Sequence, residues 1–586
     1  MVIDNYFEIV TARDGSKTLK YSDSRNSYWL HSSYNPIIEA KRWAEGINCS
    51  PDDIIIILGV GLGYHVNILV DKVPQGRIIA IEPVQPIKEA CYRYWTFNKR
   101  NETGRVLIYS GNISLRDFLS LHIEEYRLDK VKVLIYKPLE RFFPEVYLKY
   151  IREIKDALYI LLVSANTKLL FSYTWVENFF KNLFYILTSP PASVFYNEFR
   201  GKPGIIVSAG PSLNKNIHLL KEAQGKAIIL VVGTALRPVL AQGVKPTFAV
   251  SIDGSPANYK HFRELTSHDY PLVFDGIIYP EILCKYQGPK VASVFYNVFA
   301  EWLEQRLEIN PARLFIGPSV ASTAFDYAVK MGLDPIIFIG QDLAYSGEFT
   351  HARGTVYENT RPVKDENRLT FVEGIYEEKV ITSYSMLAML RALETQIAFS
   401  AAERQVIDAT EGGARIAGTV VMTLRQALDN YCRDSFNPEE KIAEIYTSHK
   451  PLSKKDLSII AEKIRGEERE LDNAVRICQK GQWLAGELEF TFNCKAPAQR
   501  QIDKLLKRLD KIDEDLKELR EKLLPVAMVF QPVWFKLNKG TFAKVENDWR
   551  AEGIRIAQKS QFLYRGLAEG IEVVKKAMLQ VVDSLI

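Results

Sequence analysis

Cysteine is scarce and scattered. Cys49, Cys91, Cys284, Cys432, Cys478 and Cys494 include no C-x-x-C pair, so neither a zinc cage nor a disulfide framework is expected, and the thiols read as core residues in a reducing compartment. An excess of one charge is also missing. Lys plus Arg total 75 against 71 Asp plus Glu, a net +4 over 586 residues, which is too little for a protein held by phosphate backbones and excludes nucleic acid as an expected partner. No apolar run reaches the roughly 18 residues that span a bilayer. The longest apolar neighbourhood, Ala157 to Leu187, is broken by Asn166, Lys168, Glu177, Asn178, Lys181 and Asn182. The first residues, MVIDNYFEIVTARDGSK, carry acids where a signal peptide needs a basic and then an apolar stretch. These absences predict a cytoplasmic protein with no membrane span. Two motifs are missing as well. There is no G-x-x-x-x-G-K-[ST], so a Walker-type ATPase is not supported. No D-x-D occurs in the central region, the Asp513 and Asp515 pair lying on a charged helix, so a metal bridging a diphosphate is not signalled.

What is present suits several packed cores, because 586 residues exceed what one core usually serves. The expected fold class is α/β: two Rossmann-like α/β domains, 1–195 and 196–438, followed by a helical region, 439–586. In the first, the β-branched run Ile54 to Leu58 enters the turn Gly59-Val60-Gly61-Leu62-Gly63, a helical segment follows, and a second apolar run, Ile78 to Ile81, ends at Glu82. Strand, glycine turn, helix and strand with a closing acid is the order of an adenosine-type cofactor site, resembling the first motif of S-adenosylmethionine methyltransferases. The same glycines also serve close strand–helix packing. No methyl-transfer centre follows, and packing is the preferred reading of Gly59, Gly61, Gly63 and Glu82. Val131 to Tyr136 is expected as a later strand of that sheet.

Ser189-Pro190-Pro191 marks a boundary before the second domain. Strands are predicted at Ile205 to Ser208, Ala227 to Val232, Thr247 to Ile252, Pro271 to Phe274, Val291 to Phe295 and Pro335 to Ile339, with helices including Ile217 to Ala223 and Ala321 to Met331. Such alternation gives a mostly parallel sheet with its ligand site beyond the strands' carboxyl ends. Motifs sit at those ends. Ser208-Ala209-Gly210-Pro211-Ser212-Leu213 follows the first strand, where a turn opening a helix suits a phosphate. Thr234 follows the second strand, Asp253-Gly254 the third, and Gly340-Gln341-Asp342 with Tyr345 a later one, while Ser319 opens the helix Ala321 to Met331. The two aspartates suit ribose or sugar hydroxyls, or plain helix capping.

Gly204 to Leu213, Asp253-Gly254, Ser319 to Gly332, Gly340-Gln341-Asp342 and Ala409-Thr410-Glu411-Gly412-Gly413-Ala414 together resemble the motility accessory factor (Maf) family of flagellin glycosyltransferases. The central region is also similar to Campylobacter-type sialyltransferases. The resemblance implies transfer of a nonulosonic acid, pseudaminic or legionaminic, from a CMP-activated donor to Ser or Thr of flagellin, by inversion and with no metal or other cofactor required. It places Gly210, Pro211, Ser212, Leu213, Thr234, Asp253, Gly254, Ser319, Gly340, Gln341, Tyr345 and Glu411 around nucleotide and donor. The sialyltransferase base is a histidine in a lid after the G-x-D segment. In the corresponding stretch, Leu343 to Val380, the one histidine is His351, and Asp342 is the competing base.

Beyond residue 440, Ile502, Leu505, Leu509, Ile512, Leu516, Leu519 and Leu523 step by three and four, predicting a long amphipathic helix stopped by Pro525. Leu457, Ile460 and Ile464, and Ile571, Val574, Met578 and Val582, predict two more helices. A bundle is the plain reading, with an oligomerising or flagellin-binding surface the sharper one. Two other functions fit the same sequence: a hydroxymethylpterin pyrophosphokinase-like enzyme, whose central domain shares the G-P-S-L and Asp-Gly signature, and a non-catalytic flagellin chaperone or assembly factor.

Overall fold

The computed structural model describes residues 6–23, 26–94, 104–265, 268–295, 297–315, 317–345, 347–362, 365, 368–400, 404–519, 522–538, 542 and 548–586. The chain divides into two compact units, Met1–Asn166 and Thr167–Ile586.

In the first unit an antiparallel sheet of β1 (Phe7–Thr11), β2 (Lys17–Ser22) and β3 (Ser27–Trp29) precedes a parallel sheet of β4 (Ile54–Leu58), β5 (Arg77–Ile81), β6 (Val106–Ile108) and β7 (Val131–Ile135), ordered β6-β5-β4-β7. All five residues of β4 are buried, as a central parallel strand covered on both faces requires. Tyr147, Ile154, Ala157 and Leu161, from the first half of the helix Pro144–Lys181, join that sheet's core.

The second unit is built on an eight-stranded parallel sheet: β8 (Gly204–Val207), β9 (Ile228–Val232), β10 (Phe248–Ser251), β11 (Leu272–Asp275), β12 (Lys290–Ser293), β13 (Ile336–Ile339), β16 (Val406–Asp408) and β17 (Val420–Val421). The antiparallel pair β14 (Leu369–Val372) and β15 (Val380–Ser383) lies between β13 and β16 in the chain. Sheet order is β12-β11-β10-β9-β8-β13-β16-β17. The chain therefore steps from β8 outward through β9 to β12, then returns to the other side of β8 for β13.

The six predicted central strands all form, each within two residues of its expected ends. β16, its edge neighbour β17 and the β14–β15 pair are additions that such short runs do not announce. Ile217 to Ala223 is not one helix but a 3-10 turn, Ile217–Leu219, followed by a single helical turn, Leu220–Ala223. Asn216, just before, is drawn aside by side-chain bonds to Ala409 O and Glu411 Oε1, both 3.0 Å.

The tail forms long helices, Lys454–Asn493, Gln499–Glu518 and Trp549–Leu585. The middle one ends at Glu518, before the last two predicted seam residues, Leu519 and Leu523. Ile205 and Ile337 of the sheet and Ile464, Leu484 and Val574 of the tail belong to one contiguous buried cluster. Among the described residues, no helix is long and apolar enough to cross a membrane.

Candidate functional site

In an open parallel sheet the ligand crevice lies outside the carboxyl ends of the strands, where the strand order reverses. Here that point is between β8 and β13, which pair in parallel from Ile336 with Gly204 to Ile339 with Val207. The turn Ser208 to Ser212 leaves one strand and Gly340 to Asp342 leaves the other, so the two most distinctive motifs of the sequence meet.

They are tied together atom by atom. Gly210 N–H donates to Gly340 O at 2.8 Å. Ser208 Oγ donates to Gln341 Oε1 at 2.5 Å. Asp342, only 3% exposed, accepts from Ser212 N at 3.1 Å and from Ser212 Oγ at 2.5 Å. A Cβ on Gly210 would lie 2.0 Å from Asp342 Oδ2, so this glycine is required by close approach. Gly340 has a φ of +64°, a left-handed conformation that glycine adopts without penalty. The Ser212 hydroxyl, expected to face a phosphate, is thus turned to Asp342. The helix it opens, Leu213–Asn216, is a single turn.

The next strand end completes the floor. Ala414 N–H donates to Asp342 O at 2.7 Å. Glu411 Oε1 accepts from Asn216 Nδ2 and Leu424 N, both at 3.0 Å, and its carbonyl accepts from Lys215 Nζ at 2.6 Å. Asp408, the last residue of β16, is fully buried and accepts from Thr410 N at 3.1 Å. Burial above all, with Asp342 adding repulsion, pushes its carboxyl up to about 6 against the Thr410 hydrogen bonds. Asp408 is not among the expected site residues, and the one signal for it in the sequence is a polar residue closing the apolar pair Val406-Ile407 directly before Ala409.

His351 reaches the same turn from the segment after β13. Ala352 N–H donates to Ala209 O at 2.9 Å, and Arg353 N–H to Asn214 Oδ1 at 3.0 Å. His351 Nδ1 lies 2.8 Å from Thr350 Oγ1, and burial lowers the imidazole's pKa. Tyr345 is bound through its N–H to Ile381 O at 2.8 Å.

Other expected residues are engaged locally. The Asp253 carboxylate accepts from Ser255 N at 2.8 Å and Ser255 Oγ at 3.1 Å, closing a turn before the helix Pro256–Phe262. Ser319 caps the helix Val320–Lys330 by accepting from Ser322 N at 3.4 Å. Thr234 is half-buried in the 3-10 turn Gly233–Ala235 that ends β9. Gly254 packs where a Cβ would meet Ile277 O at 2.8 Å. Its carbonyl, with that of Ile277, accepts from Asn178 Nδ2 at 2.9 and 3.0 Å, while Asn182 Nδ2 donates to Gly276 O and Ile278 O at 3.0 and 2.7 Å. Two asparagines that look like interruptions of an apolar stretch therefore clamp the turns that follow β10 and β11.

The glycine turn of the first unit is filled by its own protein. Glu82 Oε2 accepts from Val60 N at 2.7 Å and Gly61 N at 3.0 Å, and Oε1 from Val84 N at 3.2 Å. Its burial raises the carboxyl to about 7. Leu62 N–H donates to His31 Nε2 at 2.9 Å, and a Cβ on Gly61 would lie 2.2 Å from that nitrogen. A Cβ on Gly59 would meet Tyr147 Oη at 2.5 Å, whereas Gly63 starts the helix Tyr64–Lys72 with a φ of +84°.

Across its whole length the chain superposes on a solved glycosyltransferase from Magnetospirillum magneticum AMB-1, described as MAf, with a TM-score of 0.56 and 15% identity, covering 99% of this chain and 91% of that one. The chain has the Maf fold. Within it, residues 177–348 match the family model described as 6-hydroxymethylpterin diphosphokinase MptE-like. That span contains the β8 turn, the Asp253 turn and Gly340 to Asp342. Two uncharacterised proteins of Treponema pallidum (strain Nichols) are similar in sequence. One is 23% identical over 280 residues, 46% of this chain and 60% of that protein; the other is 28% identical over 123 residues, 21% and 58%. The chain thus spans about three fifths of the length of the curated relatives it matches. Among the described residues of this Maf fold, no group of three or more His, Cys, Asp or Glu is arranged to hold a metal ion.

Proposed function

We propose that the chain is a cytoplasmic glycosyltransferase that moves a nonulosonic acid, of pseudaminic or legionaminic type, from a CMP-activated donor to Ser or Thr of flagellin. The observation that carries the reading is the meeting of the Gly210 to Ser212 turn with the Gly340 to Asp342 turn at the β8–β13 switch point, in a chain with the Maf fold. An acceptor hydroxyl oxygen attacks the anomeric carbon as the bond from that carbon to the phosphate oxygen breaks. The electron pair leaves with CMP, and configuration inverts. His351 takes the acceptor proton: burial keeps its imidazole neutral at physiological pH, and Thr350 on Nδ1 orients the ring. Asp342 acts as the positioning group, holding the Ser212 turn against the Gly413 turn. A leaving group with one phosphate has little need of a metal. The first unit and the helical tail then serve to hold a large protein acceptor, and the tail to pair subunits.

The MptE-like match favours a second reading, diphosphate transfer from ATP to a hydroxymethylpterin. Purified protein incubated with a CMP-nonulosonate and flagellin should add the mass of the sugar to flagellin, and His351→Gln should slow this about 100-fold or more. Unmodified flagellin, together with AMP release from ATP and the pterin in the presence of Mg²⁺, would reject the transferase in favour of the kinase.

A further inference from the structure

Three connections leaving the carboxyl rim bring unpartnered polar groups together. Arg237 is at the start of the helix Leu236–Ala241, which follows β9, and His261 is near the end of the helix Pro256–Phe262, which follows β10. The segment after β13 supplies His351 and Tyr357. The Tyr357 ring lies between the two imidazoles, with centroids 5.2 Å from His261 and 5.3 Å from His351. His261 is 6% exposed, and its Nδ1 is buried without a hydrogen-bond partner. Arg237 Nε is likewise buried and unpartnered, while its Nη2 donates to Arg263 O at 2.6 Å.

We infer that Arg237 and His261, on the side of the Tyr357 ring away from His351, form a subsite for an oxyanion of the donor, a carboxylate or a phosphate group. The inference rests on reading this rim as the nucleotide-sugar crevice and deepens it. A buried donor without a partner is costly, and His261 Nδ1 and the Nε–H of the Arg237 guanidinium are satisfied together by one acceptor-only group. Burial above all lowers the His261 pKa to about 4, and the basic groups His351, Arg237 and Lys260 act in the same direction. The nearest counter-charge is Glu264, 3.8 Å from Arg237 and 3.1 Å from Arg263. The location suits the chemistry. In a nonulosonic acid the carboxylate is attached to the anomeric carbon, so an anion held beside Tyr357 brings the reacting carbon next to His351.

An oxyanion seated here raises the pKa of His261, so binding takes up a proton as pH falls. CMP-N-acetylneuraminate, whose charge is constant over the range, should bind the full chain several-fold, roughly four-fold, more tightly at pH 5.5 than at pH 7.5. Calorimetry in buffers of different ionisation heat should show the proton uptake. His261→Gln should abolish the uptake and the pH dependence. Arg237→Gln, at a partly exposed position where folding is not at risk, should weaken binding about ten-fold at both pH values, and cytidine should bind all three proteins alike. If Arg237→Gln weakens CMP as much as the sugar nucleotide at pH 7.5, the anion is the phosphate; if it weakens only the sugar nucleotide, it is the carboxylate. Wild-type affinity that is flat with pH and unchanged in both variants overturns the subsite and leaves the nucleotide reading intact. Should no cytidine nucleotide bind the wild type, that reading fails instead. Inorganic pyrophosphate then decides the subsite, which stands if the wild type binds it and Arg237→Gln does not, and falls otherwise.

Discussion

Asp408 is the residue whose chemistry departs furthest from what its neighbours in the sequence suggest. A carboxyl held near pH 6 in the fold against 3.8 in the open chain keeps its proton longer when folded. Its contribution to stability is therefore complete below about pH 3.8 and is lost as pH rises through 6. Asparagine keeps the carbonyl that accepts from Thr410 and never ionises. Asp408→Asn should match wild type near pH 4 and be more stable by roughly 1–3 kcal/mol at pH 8, measured by urea unfolding at each pH. Two stability curves that remain parallel from pH 4 to 8 would remove the buried charge from the account. Asp342, at the neighbouring strand end, differs in being engaged by both N–H and O–H of Ser212. The sequence makes Asp342 visible as a strand-end acid but not Asp408, whose strand it does not announce, and nothing in it distinguishes a latched carboxylate from a proton-holding one. That difference comes from residues 130 positions away.

At the scale of elements, β8, β9 and β13 were readable because each is a short, fully buried run rich in Ile, Val, Leu and Phe between turn residues, and burial on both faces removes polar alternation. The motif turns were readable for the same reason: glycine and proline punctuate them. Asn178 and Asn182 were not, because one helical turn apart in an apolar stretch they look like solvent-facing breaks. Their role appears only when the turns after β10 and β11 are brought to them. Each amide satisfies two buried carbonyls, so Asn182→Leu should destabilise the second unit by about 2–4 kcal/mol. Hydrogen exchange should then quicken first in residues 276–279. Unchanged stability with unchanged exchange in that turn would mean that water replaces the amide at no loss. His261 and Arg237 escaped the sequence reading in the same way, since neither lies in a motif and both acquire meaning only beside Tyr357.

For the molecule as a whole, the helical tail and the eight-stranded sheet share one buried cluster inside the second unit. A tail of that kind is not an appendage, and its loss should be felt in the sheet. Introducing a charge at Ala474, fully buried in the helix Lys454–Asn493, should lower the melting temperature of the second unit and remove hydrogen-exchange protection from β8 and β13 in the same transition. Sheet amides that remain protected after the tail has lost its own protection would make the two separate cooperative units.

The reversal of strand order beside β8 also bears on how the protein is made. Ser208 and Gln341 are 133 positions apart, and during synthesis the strands from β8 to β12 emerge long before β13 does. The crevice has only one wall until β13 docks, after a loop of that length has closed. Ligand-binding competence should therefore be among the last properties the nascent chain acquires, and a half-built sheet with β8 as its open edge is the species most in need of protection from aggregation.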